Sequence, residues 1–329
     1  MRSTGHVPKL TVLAMAFWCL VVLSVSAQAT NLKVHCGRKG ALSTINGALK
    51  LLDPQGRNTL TVSGTCNENV VIQSFDNLTL QAAPGGASIN DASDGTADVI
   101  KIQDSTRITI QGFTINGGGE GILCYDQSLC RLNGNTIQGS SGAGVRLSRA
   151  RAAFAGNVIQ NHSYVGLQIG NASQAYTNGD TIQGSGGGVL VSGGSLFLAA
   201  ATTVQGNSTL GVVIADNSTF STGGGNLITG NGDTGVLVLR ASVGTFTNGD
   251  VITANGQGPI EYGGNGVSVG DLSFARFLPG VSITGNVSGT DVTCSGQSPA
   301  TEGLEYVAPG TTNCLGLAQP SRQARQGAR

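Results

Sequence analysis

Charge is scarce in this sequence. Charged side chains are 11% of its 329 residues, less than half of the usual share in a soluble domain. Basic and acidic groups balance at 18 each, so neither nucleic acid nor an anionic membrane is an expected partner. No Cys-x-x-Cys occurs and there are only three histidines, which argues against a zinc site. Long stretches with helical spacing of apolar residues are missing as well. Glycine is abundant, at 52 residues, but without a strict three-residue period, which excludes collagen. A hydrophobic fraction of 39%, regularly distributed, excludes a disordered chain and points to a packed core.

The one long apolar run lies at the start. Arg2 and Lys9 precede Leu10 to Val25, and Ala27-Gln28-Ala29 follows as a small-x-small cleavage site. Residues 1–29 therefore read as a signal peptide, the alternative being a membrane anchor. Its removal leaves 16 basic against 18 acidic groups, a net charge of −2. No second run of that length follows, so no membrane contact is expected after cleavage, and the destination is secreted or periplasmic. Six cysteines remain in an oxidising compartment. Their neighbourhoods pair Cys36 with Cys66, Cys124 with Cys130 and Cys294 with Cys314.

What the sequence does contain is a period. An apolar residue follows a small polar one at Ile115, Ile137, Ile159, Ile182, Val204, Ile228, Ile252 and Ile283, in steps of 22, 22, 23, 22, 24, 24 and 31 residues. A glycine opening an alternating strand recurs in phase at Gly121, Gly144, Gly166, Gly188, Gly211, Gly235 and Gly266. So does a mostly aromatic series, Leu132, Phe154, Tyr176, Phe197, Phe220, Phe246 and Phe277. The long last step holds an insertion near Gln257 to Gly264. Each unit thus has three short strands between Gly, Asn, Asp and Ser turns. It is too short for a βαβ crossover, which needs about 30 residues. One unit cannot bury its apolar side alone, but stacked units can. The expected fold is all-β: a single-stranded right-handed parallel β-helix of about ten coils over residues 30–315. Residues 316–329 form a disordered tail. Ile45, Ala48, Leu49 and Leu52 have helical spacing, so a short capping helix is expected within about 41–52, with Ser43 or Thr44 as its cap.

The start of the array, with this helix, Thr59 to Val62, Gly64-Thr65, Glu68 to Ile72 and Leu78-Thr-Leu80, resembles pectin-lyase-like right-handed β-helix proteins. Units such as Gly156 to Ile159 followed by Gly166 to Ile169 resemble that superfamily's repeat. The resemblance covers about residues 36–290. It implies the fold but not one activity, since members include pectate lyases, polygalacturonases, alginate epimerases and tailspikes. Of the linear marks of those enzymes, Asn-Thr-Asp, Gly-His-Gly, Arg-Ile-Lys, Arg-x-Pro-x-x-Arg and Asp-Phe-Ile-Phe-Gly are all absent.

The best candidate constellation spans residues 125–164. Arg131, Arg146, Arg149 and Arg151 cluster there, and no further Lys or Arg appears until Arg240. The register sets Asp126 one coil from Arg149, with His162 and Tyr164 one coil further on. Arginines would hold a uronate carboxylate, and His162, Tyr164 or Asp126 would move a proton. The catalytic candidates are therefore Asp126, Arg146, Arg149, His162 and Tyr164, with Arg131 and Arg151 binding. The plainer reading is a surface ion pair and a turn histidine. Asp91, Asp94, Asp98 and Asp104 are a loose calcium candidate that reads more simply as turn residues, so no cofactor is assigned. Asn135, Asn157, Asp180, Asn226 and Asp250 recur in phase and are expected to form an internal ladder. Gln138, Gln160, Gln183 and Gln205 form an outward row that would either bind neutral sugar or simply stay solvated, and the aromatic series is expected in the core. Leu190, Val213 and Leu237 make an apolar outward strip, a self-association candidate unless the register slips. Three functions follow: a binding module for extracellular polysaccharide, favoured by the missing motifs; a lyase or epimerase on an acidic polysaccharide; or a purely structural or adhesive stack.

Overall fold

The computed structural model describes residues 29–38, 42–287, 290–295 and 300–301. Within them the repeat folds into coils of three strands and three turns. In one coil Val145–Ser148 lies on a first face, Arg151–Ala155 on a second and Val158–Gln160 on a third. The first, second and third turns follow these strands in that order. Strands of successive coils pair in parallel. The first face is a ten-stranded sheet from Val70–Gln73 to Val292–Cys294, and the other two faces form one twenty-stranded sheet. The result is a parallel β-solenoid of about ten coils. Residues 1–28 of the expected signal segment, the expected tail and Cys314 lie outside the described residues.

Stacking explains the period. Ile115, Ile137, Ile159, Ile182, Val204, Ile228, Ile252 and Ile283 pair directly from coil to coil, and none is more than 3% exposed. Burying each such side chain stabilises the fold by roughly 1.5–3 kcal/mol. The recurrent glycines are required by this packing: a Cβ on Gly188 would lie 2.3 Å from the Gly211 carbonyl oxygen and 2.5 Å from Val204 Cγ1. Phe154, Phe197, Phe220, Phe246 and Phe277 are buried, and Phe197–Phe220 and Phe246–Phe277 stack at centroid separations of 5.2 and 5.0 Å. Tyr176 leaves the series. Phe154 pairs with Thr177, so Tyr176 falls beside Ala153 on the opposite side of the strand and is 44% exposed. A step of 22 residues where the strand register is 23 turns the ring outward.

A buried polar ladder runs inside each corner, because every turn leaves backbone N–H groups that need partners away from water. Serines serve the first turn: the Ser173 N–H donates to Ser195 Oγ and the Ser195 N–H to Ser218 Oγ. The second turn holds the expected Asn/Asp row. Asn135 N and Nδ2 both donate to Asn157 Oδ1 at 3.0 Å, Asn157 donates likewise to Asp180, and Asn157 Nδ2 also reaches the Leu132 carbonyl. The third turn carries a ladder of mixed residue types, Ser140, His162, Ser185, Asn207, Asn231, Asn255 and Asn286.

A fourth ladder lies outside, on the third face. Gln160 Nε2 donates to Gln138 Oε1, Gln183 to Gln160 and Gln205 to Gln183, all at 2.8–2.9 Å. Asn116, Asn90 and Asn67 continue it towards the N-terminus. The Gln row is outward as expected, and it is bonded to itself.

The N-terminal end is closed by the helix Ile45–Leu49, shorter than its sequence window, capped by Thr44 and by the Glu68 carboxylate, which accepts from Ile45 N and Asn46 N. The Cys36–Cys66 and Cys124–Cys130 disulfides are formed as paired from sequence; the Cys294–Cys314 pairing reaches beyond the described residues. The insertion before the Val267–Val269 strand is gathered by one carboxylate. Asp233 accepts from Glu261 N, Tyr262 N and Gly264 N at 2.7–2.9 Å. Burial alone would raise this group, but these backbone donors outweigh it and hold it below the usual range.

Candidate functional site

The residues singled out in the sequence divide into three environments. Asp126 and Arg149 meet as an ion pair at the first turn, both with left-handed backbones, and Arg149 is largely exposed. Arg146 projects from the first face, but its acidic partner is Glu120, at 3.3 Å. Tyr164 is an exposed third-turn residue, 51% accessible, whose N–H donates to the Gly142 carbonyl. His162 lies inside the coil, 2% exposed. Its Nδ1 accepts from the Ser140 N–H, so Nε2 carries the proton and donates to the Ile137 carbonyl, both at 3.1 Å. Burial depresses the imidazole to about 4 and keeps it neutral at pH 7. Among the described residues, no contact joins Arg146, His162 or Tyr164 to the Asp126–Arg149 pair. With both ring nitrogens engaged behind the sheet, His162 has no route to a surface substrate.

The four aspartates do not converge. Asp91 organises its own loop, accepting from Asn69 Nδ2, Ser93 N, Ser93 Oγ and Gly95 N. Burial opposes the shift, but these donors hold the carboxyl at about 2. Asp94 and Asp104 are exposed with left-handed backbones, and so are turn residues. Asp98 accepts from the Glu120 N–H at 3.2 Å.

Asp98 belongs instead to a cluster that the sequence reading did not assemble. Glu120 stands one coil above it, and its carboxylate takes the Ala143 N–H as well as Arg146. Burial raises the pKa of both acids, and Asp98 raises Glu120 further. Lys101 lies 5.1 Å from the Tyr125 ring centroid in a cation–π contact, and it shares a column with Leu123 and Arg146. The signal was present: 98 and 120 differ by one 22-residue period, and 101, 123 and 146 are in register. Further along this column come Gln168, Leu190, Val213 and Leu237. The apolar strip is therefore in register, with Leu190 and Val213 half-buried and Leu237 only 4% exposed.

The second face carries a different surface. A groove of about 470 Å³ at its first-turn edge is lined by Thr106, Gln127, Leu129, Arg149, Arg151 and Asn171, among others. Arg151 and Arg131 are exposed, and among the described residues neither forms an ion pair, whereas Arg107, Arg146, Arg149 and Arg240 each do. Arg131, Ala153, Tyr176 and Leu198 occupy one outward column on successive coils. Small Ala153 leaves open space between a free guanidinium and an exposed ring.

Comparison with known proteins agrees with this architecture. Residues 98–252 match the model of the family described as right handed beta helix region. Among solved structures, the pectate lyase Pel9A superposes with a TM-score of 0.56 at 10% identity, over 91% of this chain and 83% of that one. The A-module of the mannuronan C-5 epimerase AlgE6 from Azotobacter vinelandii does so at 0.54 and 16% identity, over 78% and 89%. No curated protein matches the sequence. The coil architecture, this family match and the two superpositions agree on one fold, a right-handed parallel β-helix like that of pectate lyase Pel9A and the epimerase module.

Proposed function

We propose that this chain is a secreted, non-catalytic module that binds an acidic polysaccharide across its second face. The observation that carries the reading is the pair of exposed guanidiniums of Arg131 and Arg151, which among the described residues have no acidic partners, Arg151 lining the groove and Arg131 in one column with the outward Tyr176 ring. Arginine forks suit uronate carboxylates, and an exposed aromatic face suits the apolar side of a sugar ring. The disulfides fit an oxidising destination, and the two superposed proteins are named for pectate and mannuronan chemistry. Affinity electrophoresis in gels containing polygalacturonate or alginate tests it. The wild type is expected to be retarded, less so as salt rises. The Arg131→Ala/Arg151→Ala double variant is expected to bind about tenfold or more weakly, since each charged hydrogen bond contributes roughly 1.5–3 kcal/mol. Unchanged retardation of the folded double variant sinks the reading.

A second reading rests on the first-face cluster. Two carboxyls with raised pKa beside Lys101 and Arg146 are a candidate acid–base group for uronate elimination or epimerisation. In this reading Arg146 orients the carboxylate and Glu120 transfers the proton. Incubation with pectate and alginate, read by ultraviolet absorbance of unsaturated ends and by the uronate composition of the polymer, separates the two. Activity lost in Arg146→Ala and Glu120→Gln favours the enzyme, whereas no change in either polymer leaves the binding module.

A further inference from the structure

The third face differs from the other two in carrying no charge at all. Its strands present two outward columns over ten coils. One is the amide ladder, which passes into Thr229, Thr253 and Thr284 beyond Gln205. The other is a shelf of small hydroxyl residues such as Thr136, Thr181 and Thr203, interrupted by Val158, Leu227 and Val251. No Lys, Arg, Asp or Glu stands in either column, in a chain with 18 basic and 18 acidic side chains. At most strand ends the flanking turns place a glycine beside the face, with Asn161, Ala201 and Ala254 at the equivalent positions of their coils. Gly134, Gly156 and Gly179 border the face on one side and Gly139, Gly184 and Gly206 on the other, all with φ between +59° and +76°. The left-handed backbone that ends each strand favours glycine there, and these glycines keep the edges low except at Asn161, whose side chain lines one edge.

The dimensions follow from the sheet. Equivalent residues repeat at about 4.8 Å along the axis, and the two columns stand about 6.6 Å apart, two residues along a strand. The Gln side chains stand above the Thr/Val shelf, so the face is straight along the axis and stepped across it. Each Gln amide gives one N–H to its neighbour below and keeps a second N–H and carbonyl lone-pair capacity for an outside group. At the end of the ladder Gln205 Oε1 accepts no donor among the described residues, and a shallow depression of about 380 Å³ opens beside Gln183, Gln205 and Thr229.

We propose that this face binds an uncharged, extended β-linked glycan lying along the solenoid axis. Its ring faces would rest on the Thr/Val shelf, and its hydroxyls, each both donor and acceptor, would meet the amide ridge. The absence of charge fits a neutral polymer, and the straight shelf fits an extended ribbon rather than a coiled α-glucan. The step between ridge and shelf fits a chain better than the plane of an ice crystal. This site stands apart from the arginine face, so each can fail without the other.

Depletion of the full secreted chain by microcrystalline cellulose tests it, with insoluble α-glucan as comparison. Binding is expected at both low and high salt, and also when polygalacturonate is present in excess. Thr181→Arg is expected to weaken it at least tenfold, whereas Thr245→Arg, the same change on the second face, leaves it within twofold. Gln183→Glu is a smaller probe of the same face should Thr181→Arg fail to fold, and is expected to weaken binding at least threefold. Far-UV circular dichroism and melting establish that each variant is folded. The proposal is overturned by no depletion, by depletion abolished by salt or polygalacturonate, or by preference for the α-glucan. It is equally overturned by equal binding of the face variants and the control, or by shaping of ice crystals without cellulose binding.

Discussion

The second and third faces are built from the same coils, yet one is heterogeneous and the other nearly monotonous. The outward column of the second face reads Arg131, Ala153, Tyr176, Leu198, Ser221. The third-face ladder over the same stretch repeats Gln four times. The difference lies in what each side chain bonds to. A glutamine that donates to its own copy one coil away constrains both copies to stay the same. A side chain that faces solvent or a ligand is under no such constraint. On the third face repetition therefore accompanies self-pairing, whereas the second-face column, with no such bonds between its members, varies from coil to coil.

That contrast can be broken most severely from the inside, where self-pairing has no solvent to replace it. Asn157→Leu would remove the acceptor of the Asn135 N–H, one of the two acceptors of Asn135 Nδ2, which keeps the Ile110 carbonyl, and the side-chain donors to the Leu132 carbonyl and Asp180. At about 1–3 kcal/mol for each buried unsatisfied group, a loss of roughly 3–5 kcal/mol is expected in urea unfolding. A loss under about 1 kcal/mol would mean that water enters the corner.

The next effect is acid-dependent. His162 has a folded pKa of about 4, below the 6.5 of the unfolded side chain, so the unfolded chain takes up the proton first as pH falls. Its contribution is complete above about pH 6.5 and is lost towards pH 4. Asn serves the same ladder at Asn207 and Asn231, so His162→Asn is expected to fold. The stability difference between wild type and His162→Asn should change by roughly 3 kcal/mol between those pH values. Asp98, Glu120 and Asp180, raised by burial with the opposite sign, cancel in that difference. A flat difference would place the imidazole in contact with water.

Gly188→Ala probes the tight column rather than a ladder. Its Cβ would meet the Gly211 carbonyl and Val204, for an expected loss of about 1–3 kcal/mol in the same unfolding measurement. On the outside, Gln160→Ala removes two ladder hydrogen bonds that water can replace, and about 1 kcal/mol or less should be lost. Smallest of all, Arg149→Ala deletes an exposed ion pair, with a change of about 0–1 kcal/mol. An outer-ladder loss equal to that of Asn157→Leu would erase the distinction drawn between inner and outer rows.

Wherever one residue type recurs, the architecture was legible in the sequence: the Ile column, the glycines at the first-face strands, the Asn/Asp corner and two cysteine pairs all lie as their spacing implied. The third-turn ladder was not legible, because Ser, His and Asn all satisfy the same N–H. Its members share a function without sharing a letter, and His162 therefore read as a turn histidine or a proton carrier rather than as a rung of the ladder. Tyr176 was misplaced by one residue, which in a strand is the whole difference between core and surface. The Glu120–Arg146 pair joins a third turn to the strand of the next coil, a diagonal that counting by periods does not trace. For the candidate site this leaves the arginines correctly placed on the outside and their partners only partly anticipated.

Asp233 shows how such a stack grows. By collecting the amides of Glu261, Tyr262 and Gly264, one side chain confines the additional residues to a single rim, and the Val236–Val267 pairing beneath continues undisturbed. A coil with such an acid at its third turn is a natural address for grafting. Longer excursions could be received there, displayed beside the first face, without retuning any layer above or below.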